Sequence, residues 1–145
     1  MTRKKIKKHN KYGFTMVELM AVLIILGLLA TLVVTKVASK IDQAREKTTK
    51  ANLKMLHSAV NMFKMDTGRY PTEDEGLTAL IQQPSDVTTW ARGGYLETTE
   101  IPKDGWGNDY VYEAYPENDL PFAIRSWGPD KEPDTDDDLL STDAN

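Results

Sequence analysis

With 145 residues the chain has room for one domain of ordinary size, and its 40% hydrophobic and 28% charged residues argue against wholesale disorder. The absence of cysteine excludes thiol nucleophiles, thiolate zinc sites and disulfides, although it does not fix a compartment. The net charge of −4 is unevenly distributed. Residues 1–13 carry six basic side chains and no acid, which leaves 12 basic and 22 acidic residues for the remainder.

This basic arm lies directly before an apolar stretch. It has no aromatic residue among its lysines beyond Tyr12, so we expect no nucleic-acid partner. Residues 19–34 contain no charge, and extended back to Phe14 the run has 21 residues, close to the length of about 20 that crosses a bilayer as a helix. Basic flanks stay in the cytoplasm. We therefore predict a transmembrane helix in residues 14–36, with the rest of the chain exported.

A cleaved secretory signal peptide is the alternative interpretation of this segment. Such a peptide has an apolar core of about 7–15 residues, followed by a small-x-small cleavage site. The run is slightly long for that, and Val37-Ala38-Ser39 is a poor match to the site. Glu18 argues against a signal peptide and against a plain anchor, because a carboxylate at the centre of a span costs roughly 2.5–3.5 kcal/mol and needs a reason even near its end.

The pattern becomes amphipathic over residues 37–66. The predicted apolar face is formed by residues at three- and four-residue spacings: Ile41, Ala44, Thr48, Ala51, Met55, Ala59, Met62 and Phe63. No glycine or proline interrupts residues 28–67, so one helix over residues 14–66 is predicted, roughly 80 Å long at 1.5 Å per residue, with Gly68 ending it. A helix of that length cannot bury itself in a small monomer, so its first half needs lipid or further copies of the chain.

The remainder, residues 67–145, is predicted to form a small globular region. Thr72 and Glu75 fit a capping box that opens a short helix before Pro84. The apolar face of that helix is Leu77, Leu80 and Ile81. Residues 109–115 and 122–126 indicate strands. The predicted fold class is therefore α+β, a long N-terminal helix packed on a small antiparallel sheet with a C-terminal loop region.

Five aromatic residues are expected in the core and turns of this region: Tyr70, Trp106, Tyr110, Tyr112 and Trp127. Trp106, between two glycines, is expected to pack against the long helix. The residues offer no catalytic constellation, since there is no cysteine, no glycine-rich phosphate loop and no histidine after the basic arm except His57. His57 is interpreted as an ordinary surface residue of the helix.

Residues 13–18, Gly-Phe-Thr-Met-Val-Glu, stand between the basic arm and the apolar run. Together with those neighbours they closely resemble the cleavage sequence of type IV prepilins. The resemblance implies that a prepilin peptidase cuts between Gly13 and Phe14 and methylates the new amino terminus of Phe14. It also gives a reason for the acid, because Glu18 of one subunit could neutralise the Phe14 ammonium of a neighbour during assembly.

Three further segments resemble the major pseudopilins of type II secretion systems. They are residues 68–80, residues 104–110 (Asp-Gly-Trp-Gly-Asn-Asp-Tyr), and residues 126–130 followed by 136–139. Gly105 and Thr35 both stand where that family usually has proline. The resemblance extends from Gly13 to about Leu139 and is carried by specific motifs.

This resemblance implies a structural subunit, and no enzyme. Copies would form a helical homo-oligomer, a periplasmic filament that drives export of folded proteins across the outer membrane. Each subunit would first be a single-pass inner-membrane protein with its C-terminal domain in the periplasm. The implied partners are minor pseudopilins, the prepilin peptidase, the inner-membrane assembly platform and membrane lipid.

Two other functions stay open at this point. One is a type IV pilin for adhesion, motility or DNA uptake, although many such pilins close a C-terminal loop with a disulfide that this chain cannot form. The other is a membrane-tethered calcium-binding protein that never polymerises. Filament formation on overexpression separates the latter from the two filament proteins, and a neighbouring secretion channel separates those two from each other.

Residues 130–143 hold seven acids. Such a run is usually a solvated, flexible end. Calcium, however, takes about six to eight oxygens from carboxylates and carbonyls, and an acidic run can supply them. The spacing here is not that of an EF-hand, because Thr135 occupies the position of the EF-hand glycine. The resemblance implies calcium as a cofactor, with Lys131 replacing a frequent glycine of the loop. The implied ligands are the carboxylates of Asp130, Asp137 and Asp138 and the carbonyls of Trp127 and Glu132.

Overall fold

The computed structural model describes residues 13–115 and 120–142, and within them the side chains of residues 32–36 are not described. Residues 1–12 of the basic arm, which is predicted to be cleaved off after Gly13, and the Thr35 side chain therefore lie outside the described residues. The chain divides into two compact units, one ending at Lys40 and the other beginning at Ile41, and each is treated by itself.

One long helix, α1, comprises Met16–Thr67, as the sequence predicts. It ends because Gly68 adopts a φ of 80° and donates its N–H to the carbonyl of Lys64 at 2.8 Å, a left-handed closure that glycine adopts without strain. Among the residues that the structure describes, no helix meets the length and apolarity required to cross a membrane.

The face of α1 that packs into the core differs from the predicted one. Of the predicted face only Ala59 and Phe63 are buried, whereas the other members are exposed: Ile41, Ala44, Thr48, Ala51, Met55 and Met62. The buried face is Thr49, Leu53, Leu56, Ala59, Val60 and Phe63. Both series follow helical spacing, so periodicity alone could not choose between them. Ala59 and Phe63 belong to both series, and the buried series adds Leu53, Leu56 and Val60, whose burial removes more apolar surface from water than that of Ala44, Thr48 and Ala51 would.

Beyond α1, a five-residue 3-10 helix, Gly76–Leu80, replaces the predicted short helix. The predicted capping box precedes it: Thr72 N–H donates to the Glu75 carboxylate at 2.8 Å, and Glu75 N–H donates to the Thr72 hydroxyl at 3.4 Å. Strands β1, Val111–Ala114, and β2, Phe122–Ser126, confirm the two predicted strands. A third strand, β3, Leu139–Leu140, was not predicted.

The three strands form an antiparallel sheet in the order β1-β2-β3, with Val111 opposite Arg125 and Arg125 opposite Leu140. The hydrophobic core combines the buried face of α1 with side chains from the 3-10 helix, the sheet and the intervening loops. Tyr110 and Tyr112 are buried in it, as expected. Trp106 and Trp127 are half-buried and lie outside this cluster of the described residues; Trp106 lies in a turn and Trp127 directly precedes one, which fits the expectation of core and turn positions.

Candidate functional site

The predicted processing residues Gly13 and Phe14 lie just before α1, and the predicted assembly residue Glu18 lies in its first turn. Thr15 N–H and the Thr15 hydroxyl both donate to Oε2 of Glu18 at 2.8 Å, and Glu18 N–H donates to the Thr15 hydroxyl at 3.2 Å. This reciprocal arrangement is a capping box, which satisfies N–H groups that the first helical turn leaves without partners. Sequence analysis missed it, although the Thr-x-x-Glu spacing was the signal. The two bonds that Thr15 donates to the Glu18 carboxylate come from neutral groups, so they bring no positive charge to it.

The residues around that turn are open to solvent. Phe14 is 84% exposed, and a β-carbon added at Gly13 would meet nothing within 4 Å. Every residue from 14 to 31 is exposed, including twelve large hydrophobic side chains between positions 14 and 29. Removing one such side chain from water stabilises by about 1.5–3 kcal/mol. An apolar surface of this extent marks a contact with lipid or protein.

A second cluster is the turn that begins at Asp104, whose carboxylate is buried. Its Oδ1 accepts the N–H groups of Trp106 and Asn108, at 2.9 and 2.7 Å. Its Oδ2 accepts the Ser126 hydroxyl at 2.7 Å and the Asn108 side-chain amide at 3.1 Å. That amide also donates to the carbonyl of Gly128 at 2.9 Å, so this turn is hydrogen-bonded to the loop of residues 127–138, which carries most of the C-terminal acids.

This turn approaches α1 through Gly105, whereas the sequence predicted that Trp106 would pack there. Gly105 N–H donates to the hydroxyl of Thr49 at 2.8 Å, and that hydroxyl donates to the carbonyl of Arg45 at 2.9 Å. A β-carbon added at Gly105 would overlap the Arg45 carbonyl oxygen and lie 2.7 Å from the Arg45 carbonyl carbon. Only glycine fits this close approach of two backbones.

The acidic loop, residues 127–138, folds back on itself around Asp137. Oδ1 of Asp137 accepts the Thr135 hydroxyl at 2.7 Å, and Oδ2 accepts the N–H of Asp130 at 3.4 Å. The Thr135 bond is the main cause that lowers the pKa of Asp137 below its usual value. Gly128, at φ 63°, lies so close to Asp137 that an added β-carbon would be 2.7 Å from its carboxylate.

The predicted calcium ligands fit a metal site only in part. Asp137 lies against the backbone of Asp130, but Asp138 turns toward Arg125, with Oδ2 at 3.4 Å from Nη1. The carbonyl of Glu132 accepts the Thr135 hydroxyl at 3.3 Å. Within the described part of the chain, no group of three or more histidine, cysteine, aspartate or glutamate side chains has the geometry to hold a metal ion.

Comparison with known families gives two matches that together cover most of the chain. Residues 36–142 match the model of the family described as type II secretion system (T2SS), protein G. Residues 8–34 match the prokaryotic N-terminal methylation motif. The first match alone covers well over half of the chain. The chain belongs to the type II secretion system protein G family.

Known members of the protein G family are similar over nearly their full lengths. The type II secretion system core protein G of Pseudomonas aeruginosa is 40% identical over 136 residues, covering 91% of this chain and 94% of the relative. The protein of the same name from Klebsiella pneumoniae is 38% identical, covering 90% and 94%. The crystal structure of the major pseudopilin from enterohaemorrhagic Escherichia coli has a TM-score of 0.61 and 31% identity, covering 71% of this chain and 90% of that one.

These similarities decide between the functions that remained open after sequence analysis. They confirm the resemblance to major pseudopilins and the pilin-like α+β fold. The chain is a structural subunit of the type II secretion pseudopilus, and the type IV pilin alternative is not favoured.

The structure adds an ion network that sequence analysis missed. The guanidinium of Arg69 forks onto Glu75, with both N–O distances at 2.7 Å, and also reaches Asp86 at 2.9 Å. The Arg69 bonds are the main cause that lowers the pKa of Glu75 from 4.5 to about 2. Separations of 6 and 17 residues follow no helical or strand period, so no sequence pattern indicated this pairing.

His57 is also more than the surface residue that the sequence indicated. Its ring is half-buried against Phe122, with ring centroids 4.7 Å apart, and its Nδ1 lies 3.4 Å from the hydroxyl of Ser141. Burial lowers the pKa of His57 below its usual 6.5, so the neutral ring is favoured. Ser141 N–H donates to the carbonyl of Ile124 at 2.8 Å, so Ser141 joins the chain that follows the acidic loop to β2.

Proposed function

We propose that this pseudopilus subunit is stored in the inner membrane and polymerises through residues 14–36 into a periplasmic filament that drives export of folded proteins. The observation that carries the proposal is the helix of residues 16–31, apolar and exposed, with Gly13-Phe14 directly before it. Such a surface is unfavourable in water, so it requires lipid before assembly and neighbouring subunits afterwards.

Processing by a prepilin peptidase follows from the same segment. The Gly13–Phe14 bond lies before the first helical turn and is exposed, so a protease can reach it. Cutting there leaves Phe14 as the new amino terminus, and we assign N-methylation to it; the match of residues 8–34 to the N-terminal methylation motif supports this assignment. The basic arm stays on the cytoplasmic side and the rest of the chain enters the periplasm.

Glu18 is the residue to which we assign a role in assembly. Its carboxylate is held in place by the Thr15 capping box, but those bonds leave its negative charge without a cation. In an apolar filament interior a lone carboxylate is costly, and so is the lone ammonium of Phe14. Pairing Glu18 of one subunit with Phe14 of its neighbour removes both costs. Because the pair joins different copies, it couples neutralisation to the addition of a subunit.

The partners follow from this assembly route. Copies of the chain associate by heterologous contacts that do not close into a ring, so a helical filament results. We assign minor pseudopilins, the inner-membrane assembly platform and the prepilin peptidase as further protein partners, and no nucleic acid. We infer a structural role without catalysis, because the family is one of structural pseudopilins.

Mass spectrometry of the membrane-extracted protein tests processing. The expected species begins at Phe14 and carries one added methyl group. A mature protein beginning at Lys40 would indicate an ordinary signal peptide, and an intact Met1 would indicate no processing at all. Deletion of the gene tests the export role, since secretion of folded periplasmic proteins should stop while their synthesis continues.

We also propose that the acidic loop binds calcium. The loop offers the carboxylates of Asp130 and Asp137, with the carbonyls of Trp127 and Glu132 within the same segment. Asp138 would complete the set, although in this structure it faces Arg125. A bound ion would offset the repulsion between neighbouring acids and hold the loop in one conformation.

Thermal melting of the full-length protein in detergent tests calcium binding. Calcium at a hundred times its Kd would stabilise the folded form by about 2.7 kcal/mol, so the melting temperature should rise relative to a chelator. Magnesium should act weakly, because it prefers a tight octahedral shell. Asp137→Ala should abolish the rise, whereas Asp136→Ala, at an exposed neighbour, should not. A melting temperature that ignores millimolar calcium would mean a solvated acidic end.

A further inference from the structure

The acidic loop closes on a cation that the protein itself supplies. Arg125 lies on β2, the middle strand of the sheet, and its side chain is only 21% exposed. Its Nη1 donates to Oδ1 of Asp134 at 2.7 Å and approaches Oδ2 of Asp138 at 3.4 Å. Its Nη2 lies 3.6 Å from the carboxylate of Glu113 on β1. One guanidinium therefore faces three carboxylates, two of which belong to the acidic loop.

Asp138 is the carboxylate for which this contact matters most. Its side chain is 9% exposed, so it has lost most of its hydration and needs partners within the protein. Oδ2 accepts the N–H of Asp134 at 3.0 Å, which closes a short turn of the loop next to Arg125. Asp134 has a φ of 62°, an unfavourable conformation for a residue with a side chain, so the turn requires compensating interactions.

We propose that Arg125 is the resident cation of the acidic loop, closing it without a divalent ion and competing with calcium for Asp138. Arginine suits this role because one arm of its planar fork, Nη1, faces Asp134 and Asp138 while the other, Nη2, faces Glu113, and because it stays charged at every physiological pH. Calcium binding through Asp138 would require that carboxylate to leave Arg125. The competition half of this inference depends on the calcium binding proposed above, whereas the closure half does not.

Hydrogen exchange of the full-length protein in detergent with a chelator tests the closure. Arg125→Gln should speed amide exchange in residues 127–142 by about tenfold, because Asp138 loses its cation. Lys131→Gln is the matched control: it removes the same charge from the same loop, and exchange should stay within about twofold of wild type. Arg125→Lys should give an intermediate rate, since it keeps the positive charge but loses the second nitrogen that faces Glu113 and the planar geometry that fixes the first one between Asp134 and Asp138.

Asp134→Asn tests the same closure with a milder change, in case Arg125→Gln fails to fold. The Asp134 side chain is 82% exposed, and asparagine tolerates a positive φ, so this change removes the negative charge of one partner of Arg125 without disturbing the core. Exchange of the loop should rise by about threefold. If Arg125→Gln and Asp134→Asn both leave the loop as protected as in wild type, the closure role is refuted.

A calcium titration of the same exchange rates tests the competition. In Arg125→Gln the calcium concentration that half-protects the loop should be lower than in wild type by about tenfold, because Asp138 is already released. Equal midpoints in the two proteins would overturn the competition. If calcium protects neither protein while the chelator result stands, the closure is supported and the calcium site itself is refuted.

Discussion

Replacing Gly105 tests the contact that holds the Asp104 turn on α1. A β-carbon at this position would overlap the carbonyl oxygen of Arg45 and lie 2.7 Å from two further Arg45 backbone atoms. The obstacle is helix backbone, which cannot rotate away as a side chain can. Overpacking of this kind costs about 1–3 kcal/mol. Because the neighbour is rigid backbone, we expect Gly105→Ala to lower the free energy of unfolding by about 2 kcal/mol. In a domain of about 100 residues that lowers the melting temperature by roughly 10 °C.

Gly105→Pro is the more telling change, because proline is the usual residue of the family here. A substitution toward the common residue of a family often stabilises. In this chain it should destabilise more than alanine does. The ring meets the same Arg45 backbone, and the missing N–H removes the bond to the buried hydroxyl of Thr49, which keeps only its bond to the Arg45 carbonyl, at an added cost of about 0.5–1.5 kcal/mol.

Thermal and urea unfolding of the full-length protein in detergent measure these effects. Gly107→Ala is the matched control in the same turn: nothing lies within 4 Å of its added β-carbon, but its φ of 87° costs about 1 kcal/mol for a residue with a side chain. The expected order of stability is wild type, Gly107→Ala, Gly105→Ala, Gly105→Pro. A Gly105→Pro protein as stable as wild type would show that the helix and the turn separate easily.

Three further predictions concern charged groups. Glu18→Ala should leave insertion and processing intact but abolish filament growth, as seen by electron microscopy of overexpressing cells, and normal filaments would refute its pairing with Phe14. Arg69→Gln should cost about 2 kcal/mol at pH 7. Since the pKa of Glu75 is lowered to about 2, the contribution of its carboxylate to the free energy of unfolding is complete above pH 4.5 and is lost toward pH 2. Arg69→Gln should therefore weaken the dependence of that free energy on pH between these two values. Because burial lowers the pKa of His57, stability should fall as the pH drops below 6.5, and His57→Gln should remove this slope; an unchanged slope would assign it to another group.

The architecture of this chain was predictable where the signal is local. The uninterrupted helix and its end at Gly68 follow from backbone preferences, and the strands β1 and β2 follow from β-branched and aromatic residues between turn residues. The prepilin motif is also local, and the match of residues 8–34 to the N-terminal methylation motif confirms that such a motif is present; the cleavage between Gly13 and Phe14 stays a prediction. The missed strand β3 is only two residues long, and a run that short has no measurable alternation.

Features that depend on distant neighbours were not predictable in the same way. The predicted and the buried series of α1 share Ala59 and Phe63 and follow the same spacing. The packing of the 3-10 helix, the sheet and the intervening loops against α1 selected the second series. The attraction between Arg125 and Asp138 depends on how β2 and the acidic loop pair in space. Charge at a position is visible in a sequence, whereas the partner that satisfies it is not.

The misassigned face of α1 gives this protein a chemical reporter of assembly. Met55 and Met62 are exposed on that face and Met65 is exposed on the next turn of the same helix, and exposed thioethers are converted by peroxide to sulfoxides. Because none of the three belongs to the buried core, their oxidation should leave the fold intact while adding about 16 Da per residue, the mass of one oxygen atom. Comparing the extent of oxidation in single subunits and in filaments would therefore map, one methionine at a time, which part of this helix a neighbouring copy covers.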